Sequence, residues 1–196
     1  MKKRLRVGIL FGGRSGEHEV SLVSAASILR AIDHKKYDVV PIGITKDGHW
    51  LPAAESQNLL EGTAAPLALS ASSAGANSHD LLKQSTDLAG KLDVVFPVLH
   101  GTFGEDGTIQ GMLELADIPY VGSGVLGSAA SMDKDVMKRL FSTAGLPQTP
   151  WISLTRTQWH TDPRHCTKKI EAALKYPLFV KPANLGSSVE IGRAHV

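Results

Sequence analysis

An acidic residue, Glu17, stands where a predicted strand gives way to a glycine-rich turn and then a helix. Residues 11–21 read FGGRSGEHEVS and connect these two elements. In doubly wound folds, ligands bind at the carboxyl ends of parallel strands. A carboxylate there can hold a substrate ammonium, although Glu17 and Glu19 could equally balance the positive end of the helix dipole. The glycine spacing differs from the dinucleotide-binding fingerprint, so a dinucleotide is not indicated.

A second loop that could carry chemistry begins at His100. Residues 97–107 read PVLHGTFGEDG, so the histidine directly follows an apolar run and precedes several glycines. Glycines allow the backbone of a loop to approach a ligand closely. A histidine in this position is more often structural, however, and Glu105 and Asp106 are explained equally well as caps of the next helix. The spacing of these residues specifies no metal site.

Two lysines are candidates for anion binding. Lys134 lies near the start of a predicted helix, where extension into solvent is the simpler interpretation. Lys181 ends an apolar run, and a lysine buried there without an anionic partner would be costly. The loop that follows contains Ser187 and Ser188, and small residues with free hydroxyl and N–H groups are typical of phosphate binding. It is not a Walker A loop, because no GK[ST] sequence is present.

The elements that position these loops follow from hydrophobic periodicity. Leu5 to Phe11 and Tyr37 to Thr45 predict strands, and Glu19 to Ile32 predicts the helix between them. This order is a βαβ unit, which requires a parallel sheet. Leu92 to Leu99 predicts a further central strand, and Thr108 to Ala116 predicts a helix. We therefore predict an α/β fold built on a parallel sheet.

Other parts of the chain give weaker signals. Residues 53–90 are rich in Ala and Ser and predict mainly a surface loop or disorder, with a helix near 81–88 as an alternative. The stop signals Gly145 and Pro147 predict the end of a helix and a domain boundary. The remaining predicted elements are a strand at 119–121, one helix at 128–144, strands at 151–154 and 178–181, and a helix at 163–175.

The composition is that of an ordinary soluble globular protein, with 42% hydrophobic and 20% charged residues. A net charge of +2 is too small to indicate a nucleic-acid partner. The single cysteine, Cys166, excludes an internal disulfide framework, fits a reducing cytosol and lies in no nucleophile motif. The N-terminus has no apolar leader and no run is long enough to span a bilayer, so we expect a cytoplasmic location and no membrane partner.

Taken together, four stretches of the chain resemble motifs of the D-alanine–D-alanine ligase family, which belongs to the ATP-grasp enzymes. Their order and spacing also match, and the resemblance covers nearly the whole chain. It implies a parallel-sheet, Rossmann-like N-terminal domain (the pre-ATP-grasp domain) at residues 1–147. The truncated start of an ATP-grasp domain would follow at 148–196. The stretches are GGRSGEHEVS from Gly12, PVLHGTFGEDGTIQG from Pro97, SMDKDVMKRL from Ser131 and FVKPANLGSSV from Phe179.

The resemblance implies a reaction and its substrates. In this family ATP phosphorylates the carboxylate of one D-alanine, and the amine of a second attacks the acyl phosphate, which supplies peptidoglycan precursors. By motif match, Glu17 would bind the ammonium of the first D-alanine and be hydrogen-bonded toward Ser187. His100 would face the acyl phosphate. The loops at 12–17, 100–107 and 181–188 are thus expected to converge on one cleft.

The resemblance also implies how the nucleotide is bound. Lys134 and Lys181 would contact the ATP phosphates, and Ser187 and Ser188 would line the phosphate loop. ATP and Mg²⁺, with Mn²⁺ as a substitute, are the implied cofactors. The implied assembly is a homodimer. The metal ligands are expected beyond residue 196, so we assign none in this chain.

The family pattern is lost after Val189. One coding of residues 190–196, GAG ATC GGA AGA GCA CAC GTC, resembles a common sequencing-adapter sequence after its first base. We therefore interpret 190–196 as a non-native tail, which resequencing of the gene would test. Because the family's metal ligands, adenine-contacting segment and closing loop are expected farther along, we predict that these residues alone have no ligase activity.

Three alternatives to this function are kept. A D-alanine–D-lactate or D-alanine–D-serine ligase would share these motifs. A dinucleotide-dependent oxidoreductase is suggested only by the βαβ start, and the absence of the spaced-glycine fingerprint argues against it. A non-enzymatic nucleotide-binding α/β module is the third.

Overall fold

The computed structural model describes residues 3–61, 91–186 and 191–194. It consists of two compact units, residues 1–129 and 130–196, and each contains its own small sheet. The predicted α/β class is confirmed. The predicted domain boundary near Pro147 stays a prediction, as does the interpretation of 190–196 as a non-native tail.

The first unit is built on a parallel sheet. Its strands are β1 (Leu5–Gly12), β2 (Tyr37–Ile44) and β3 (Val94–Val98), in the order β2-β1-β3. All pairs are parallel, as the βαβ pattern predicts, and Leu10 of β1 lies between Ile42 and Pro97. Where residues 119–121 predict a strand, the structure has a single parallel bridge from Tyr120 to Val95.

Four helices of the described residues begin in the first unit, and the last of them continues past residue 129. They are α1 (His18–Ala31), α2 (Ala53–Leu60), α3 (Thr108–Leu115) and α4 (Val125–Met132). The prediction of a loop was wrong for 53–60. The buried Ser56 hydroxyl of α2 accepts from the Gly43 N–H at 2.8 Å and donates to the Leu51 carbonyl at 3.2 Å, and this docks the helix beside β2. The other predictions for 62–90 lie outside the described residues.

The first unit buries both faces of β1, because side chains alternate along a strand. On one face, Leu10 packs with residues of β3 and α3, among them Val95 and Leu113. On the other face, Ile9 and Phe11 pack with Ala25 of α1. Ile9, Leu10 and Phe11 are each 0% exposed. A strand buried on both faces holds its carboxyl end rigidly, which is where the candidate loops begin.

The second unit is smaller and more exposed. Its elements are α5 (Lys134–Thr143), α6 (Arg156–Thr161), α7 (Pro163–Ala173), β4 (Leu178–Val180) and β5 (Gly192–Ala194). Strands β4 and β5 pair in antiparallel fashion. Cys166 is buried, whereas α5 has no buried residue.

Two predictions for the end of the chain were wrong, and one helix was not predicted. The single helix at 128–144 is two helices, because the Asp133 carboxylate caps α5 by accepting from the N–H groups of Asp135 and Val136. Residues 151–154 form no strand. Helix α6 was missed, although Thr155 and Gln158 form a capping box at its start. Gly145, with φ 71°, ends α5 as predicted.

Within the described residues, no helix combines the length and the apolar character that crossing a membrane requires.

Candidate functional site

The loop after β1 is fixed by backbone contacts with β2. Gly12 and Gly13 have φ values of 88° and 94°, in the left-handed region that favours glycine. The Gly13 N–H donates to the Ile44 carbonyl at 2.9 Å. A Cβ atom on Gly12 would lie 2.2 Å from that same oxygen. The glycine pair therefore lets the chain turn tightly against β2 at the sheet edge.

The hydroxyl of Ser21 joins the ends of two strands. Ser21 is 0% exposed and lies in the second turn of α1. Its Oγ accepts from the Gly12 N–H at 2.7 Å, and it donates to the Val98 carbonyl in a short hydrogen bond. The sequence places Ser21 off the apolar stripe of its helix, so its complete burial was not predicted. This side chain sets the spacing between the loops that follow β1 and β3.

Glu17 and Glu19, equivalent by sequence, lie in different environments. Glu19 is exposed and forms an ion pair with Lys46, with Oε1 2.6 Å from Nζ. The hydrogen bond from Lys46 lowers the pKa of Glu19. Glu17 precedes α1, is 6% exposed and makes no side-chain cap. The dipole-balancing interpretation therefore fits Glu19, whereas Glu17 is a buried carboxylate that needs another explanation.

The loops after β1 and β3 meet at Glu17. A Cβ atom on Gly101 would lie 2.6 Å from Glu17 Oε2, and Gly101 has φ 71°. Only glycine satisfies both conditions without displacement. The predicted site residues Glu17 and His100 thus belong to loops in direct contact, which is the part of the predicted convergence that lies within the first unit.

Two carboxylates hold the loop after β3 in shape. Glu105 Oε2 accepts from the Gly101 N–H at 2.7 Å, and Asp106 accepts from the N–H groups of Phe103 and Thr108 at 2.8 and 3.0 Å. Partial burial would raise the pKa of Asp106, but these amide donors outweigh it and lower that pKa. Asp106 accepts from the first N–H of the next helix, although the N-cap residue of that helix is Gly107. Glu105 instead closes the loop upon itself.

The imidazole of His100 is held from helix α1. Its Nε2 lies 3.1 Å from the Ser24 hydroxyl, one helical turn after Ser21. His100 is half-buried, and it is one of the residues that line a pocket at the edge of the sheet. A histidine with one ring nitrogen held by a hydroxyl has a defined ring orientation, and the hydroxyl can serve either tautomer by accepting or donating. Ser24 was missed because a serine outside the apolar stripe gives no sign of its partner.

Lys134 is the first residue of α5 in the second unit. Its ammonium donates to the carbonyls of Leu185 and Ala183 at 2.5 and 3.5 Å, and its backbone N–H donates to Ala183 at 3.0 Å. The side chain therefore does not simply extend into solvent. It holds the loop that leads into the predicted phosphate-binding residues, which is compatible with a role in anion binding.

Lys181 follows the short strand β4 and is exposed. Phe179 and Val180 of this strand are 59% and 63% exposed, so Lys181 is not the buried cation that the apolar run predicts. Ser187 and Ser188 lie outside the described residues, and so does the predicted hydrogen bond from Glu17 toward Ser187. The roles assigned to these residues stay predictions.

Two family models match the chain. The model described as D-ala D-ala ligase N-terminus matches residues 6–123, and the model described as D-ala D-ala ligase C-terminus matches residues 140–196. The first alone covers more than half of the chain. The chain belongs to the D-alanine–D-alanine ligase family.

Known members of the D-alanine–D-alanine ligase family confirm this. A D-alanine–D-alanine ligase of Natranaerobius thermophilus is 50% identical over 194 residues, which cover 97% of this chain and 53% of the relative. D-alanine–D-alanine ligase A of Escherichia coli is 48% identical over 199 residues, covering 97% and 54%. The chain therefore spans about half the length of the curated relatives it matches.

Solved structures show the same fold. The VanG D-Ala:D-Ser ligase of Enterococcus faecalis has a TM-score of 0.75 and 38% identity, covering 99% of this chain and 56% of that one. The D-alanine–D-alanine ligase of Coxiella burnetii has a TM-score of 0.75 and 30% identity, covering 98% and 55%. These structures confirm the predicted ATP-grasp ligase architecture.

Proposed function

We propose that this chain provides the first-substrate side of an ATP-dependent D-alanine–D-alanine ligase that supplies peptidoglycan precursors. The observation that carries the proposal is the buried carboxylate of Glu17, set against Gly101 where two loops meet at the sheet edge. Family membership supplies the substrate class. A cytoplasmic location and a homodimeric assembly are further expectations from the family.

Glu17 is proposed to bind the ammonium of the first D-alanine. A carboxylate that is 6% exposed is costly unless it meets a cation, and a substrate ammonium provides one. The contact would be a charge-assisted hydrogen bond, which is stronger than a neutral one. Because residue 101 is glycine, its backbone lies close to Glu17 Oε2. The position of the carboxylate is therefore set before the substrate binds.

His100 is proposed to face the acyl phosphate that forms from the first D-alanine. ATP would transfer a phosphoryl group to the substrate carboxylate, and the amine of the second D-alanine would then displace phosphate. Such reactions depend on alignment and on neutralising the oxygens of the transferred group. The Ser24 hydroxyl supports this assignment because it fixes the ring orientation of His100.

Lys134, Lys181, Ser187 and Ser188 are proposed to bind the phosphates of ATP. The contact of Lys134 with the carbonyls of Ala183 and Leu185 supports a shared anion-binding segment. Magnesium, when bound, would neutralise phosphate oxygens. The described ranges contain no group of three or more His, Cys, Asp or Glu side chains arranged to hold a metal.

Phosphate release that depends on both ATP and D-alanine tests the proposal. A polypeptide of residues 1–196 is expected to release none. A chimera that joins residues 1–189 to the C-terminal half of the N. thermophilus relative is expected to be active, since the two proteins are 50% identical over the shared region. Circular dichroism verifies that the chimera is folded. A folded but inactive chimera, beside an active parent enzyme, would refute the proposed function.

A D-alanine–D-serine ligase is the second candidate, because a structure with this activity is among the similar folds. The mass of the dipeptide formed by the full-length enzyme from mixed D-alanine and D-serine distinguishes the two. Exclusive formation of D-alanyl-D-serine would replace the first proposal with the second.

A further inference from the structure

A cavity of about 210 Å³ lies at the carboxyl edge of the first unit's sheet, apart from the Glu17 carboxylate. Glu17 does not line it, whereas His100 does. An engineered apolar cavity of about 150 Å³ is known to bind benzene, so this volume fits a body slightly larger than one aromatic ring. Its walls are mostly apolar and include Ile44, Trp50, Leu99, Ile109 and Met112.

The rim of this cavity carries one guanidinium group. The central carbon of the Arg14 guanidinium lies 5.0 Å from the centre of the Phe103 ring. Stacking occupies the face of a guanidinium and leaves the N–H donors at its edge available. Among the described residues, Arg14 makes no ion pair within 4.0 Å. The rim thus presents donors suited to a planar anion.

The chain is shaped locally around this pair of side chains. Phe103 has φ 64°, which is uncommon for a residue with a side chain, and it is 44% exposed. The Asp106 carboxylate holds its N–H at 2.8 Å. A Cβ atom on Gly48 would lie 2.4 Å from Arg14 Cδ, so glycine makes room for the arginine. Backbone strain maintained at a cavity rim is characteristic of binding sites.

We propose that this cavity is a second binding site, which takes a small monocarboxylate with an aromatic or branched apolar body. The body would fill the apolar interior, and the carboxylate would pair with the edge of the Arg14 guanidinium. A phosphate ester fits less well, because the rim offers a single arginine and the interior offers few donors. Since His100 lines this cavity and also bonds Ser24, an occupant would lie beside the proposed acyl-phosphate residue.

Nuclear magnetic resonance at the Trp50 indole N–H tests the proposal with three probes. Phenylacetate has both features, phenylacetamide lacks the charge and acetate lacks the apolar body. We expect phenylacetate to shift the Trp50 signal saturably, with a Kd near or below about 1 mM, and the other two to bind at least roughly tenfold more weakly. Trp151 and Trp159, which lie in the second unit, should not shift and serve as internal controls.

Two variants locate the site. Arg14→Met keeps the stem and removes the charge, so phenylacetate should then bind no better than phenylacetamide. Arg30→Met is the matched control, because Arg30 is exposed on α1 and, among the described residues, its side chain bonds Ser27. Met112→Trp, placed in the cavity wall, should block all probes while the remaining amide spectrum stays dispersed.

Three results would overturn the inference. They are no saturable shift at Trp50, equal affinity for phenylacetate and phenylacetamide, and unchanged binding in Arg14→Met. The inference goes beyond the proposed ligase function and concerns binding alone. A failure here leaves the phosphate-release assay of the chimera unaffected, and an inactive chimera would not remove the binding site.

Discussion

The loops at the sheet edge of the first unit and the lysine-bearing segments of the second unit are built in opposite ways. Around Gly12 and Gly101, buried or partly buried hydrogen bonds and close backbone contacts hold the two loops in place. In the second unit, β4 is exposed, and so are the apolar residues Val136, Leu140 and Phe141 of α5. Lys134 has fixed partners, but they are loop carbonyls.

This difference indicates that the first unit holds its candidate binding residues in fixed positions, whereas the second unit does so less. A carboxylate that must bind a small amino acid gains from a rigid frame, because little binding energy is then spent on ordering it. This comparison predicts that substitutions in the sheet-edge loops of the first unit lower the free energy of unfolding far more than substitutions in the lysine-bearing segments of the second unit.

The largest effect is expected for Ser21→Ala. Loss of the hydroxyl leaves the Gly12 N–H and the Val98 carbonyl without their partner inside the unit, and each unsatisfied buried group costs about 1–3 kcal/mol. Because two groups lose their partner, we expect the free energy of unfolding to fall by about 2–6 kcal/mol in urea denaturation. Ser27→Ala, on the exposed side of α1, is the control and should change it by less than about 0.5 kcal/mol. Equal effects would mean that Ser21 does not join the strands.

Two glycines with the same φ angle allow the cost of backbone strain to be measured separately from the cost of a steric contact. Gly101 and Gly145 both have φ 71°, but only Gly101 has a neighbour that a Cβ atom would meet. Alanine at either position should cost about 1 kcal/mol from backbone strain. Gly101→Ala should cost about 1–2 kcal/mol more, because Glu17 must move. Similar losses in both variants would show that the two loops are not in tight contact.

Lys134→Met should have a smaller and local effect. The ammonium donates to two loop carbonyls, and a hydrogen bond to a charged group is worth about 1.5–3 kcal/mol where it is buried and less at a partly exposed site. We expect faster hydrogen exchange near residues 183–186, with little change in global stability. Lys181→Met is the control, since Lys181 is exposed. An equal change in both variants would argue against the contact.

The smallest effect concerns pH and Asp106. Its pKa is lowered in the folded state, so the carboxylate stabilises the fold above its unfolded value of 3.8. That contribution is lost as the pH falls through the lower, folded value. Asp106→Asn should therefore reduce the loss of unfolding free energy at acid pH. The reduction should be less than about 1 kcal/mol, because the carboxylate is largely screened by solvent. An unchanged curve from urea titrations between pH 5 and 2.5 would contradict this assignment.

The sequence predicted the parallel sheet and α1 because their periodicity is strong and local. It could not predict α2, because this helix is docked by the hydrogen bond from the Gly43 N–H to the Ser56 hydroxyl. Nothing in the sequence near residue 56 indicates that partner. The same holds for Ser21, whose strand partners lie 9 and 77 positions away in the chain. The division of the predicted 128–144 helix at Asp133 could have been predicted, because aspartate before a helical run is a recognised cap.

The site was predictable in part for a related reason. Glycines and polar residues after apolar strands indicated the loops that contain Glu17 and His100, since the carboxyl ends of parallel strands share one edge. The sequence could not distinguish Glu17 from Glu19, because their environments are set by distant residues. Gly101 lies against Glu17, whereas Lys46 forms an ion pair with Glu19. Lys181 is exposed, contrary to the prediction, because the apolar strand that precedes it is itself exposed.

The most direct test of the account compares Glu17→Gln with Glu19→Gln in the chimera, each assayed for phosphate release over a range of D-alanine concentrations. Glutamine keeps the shape and removes the charge. We expect Glu17→Gln to lower kcat/KM for D-alanine roughly 10- to 100-fold, the size of a charged hydrogen bond, and Glu19→Gln to leave it within about twofold. Equal values for both variants would contradict the claim that Glu17 holds the substrate ammonium.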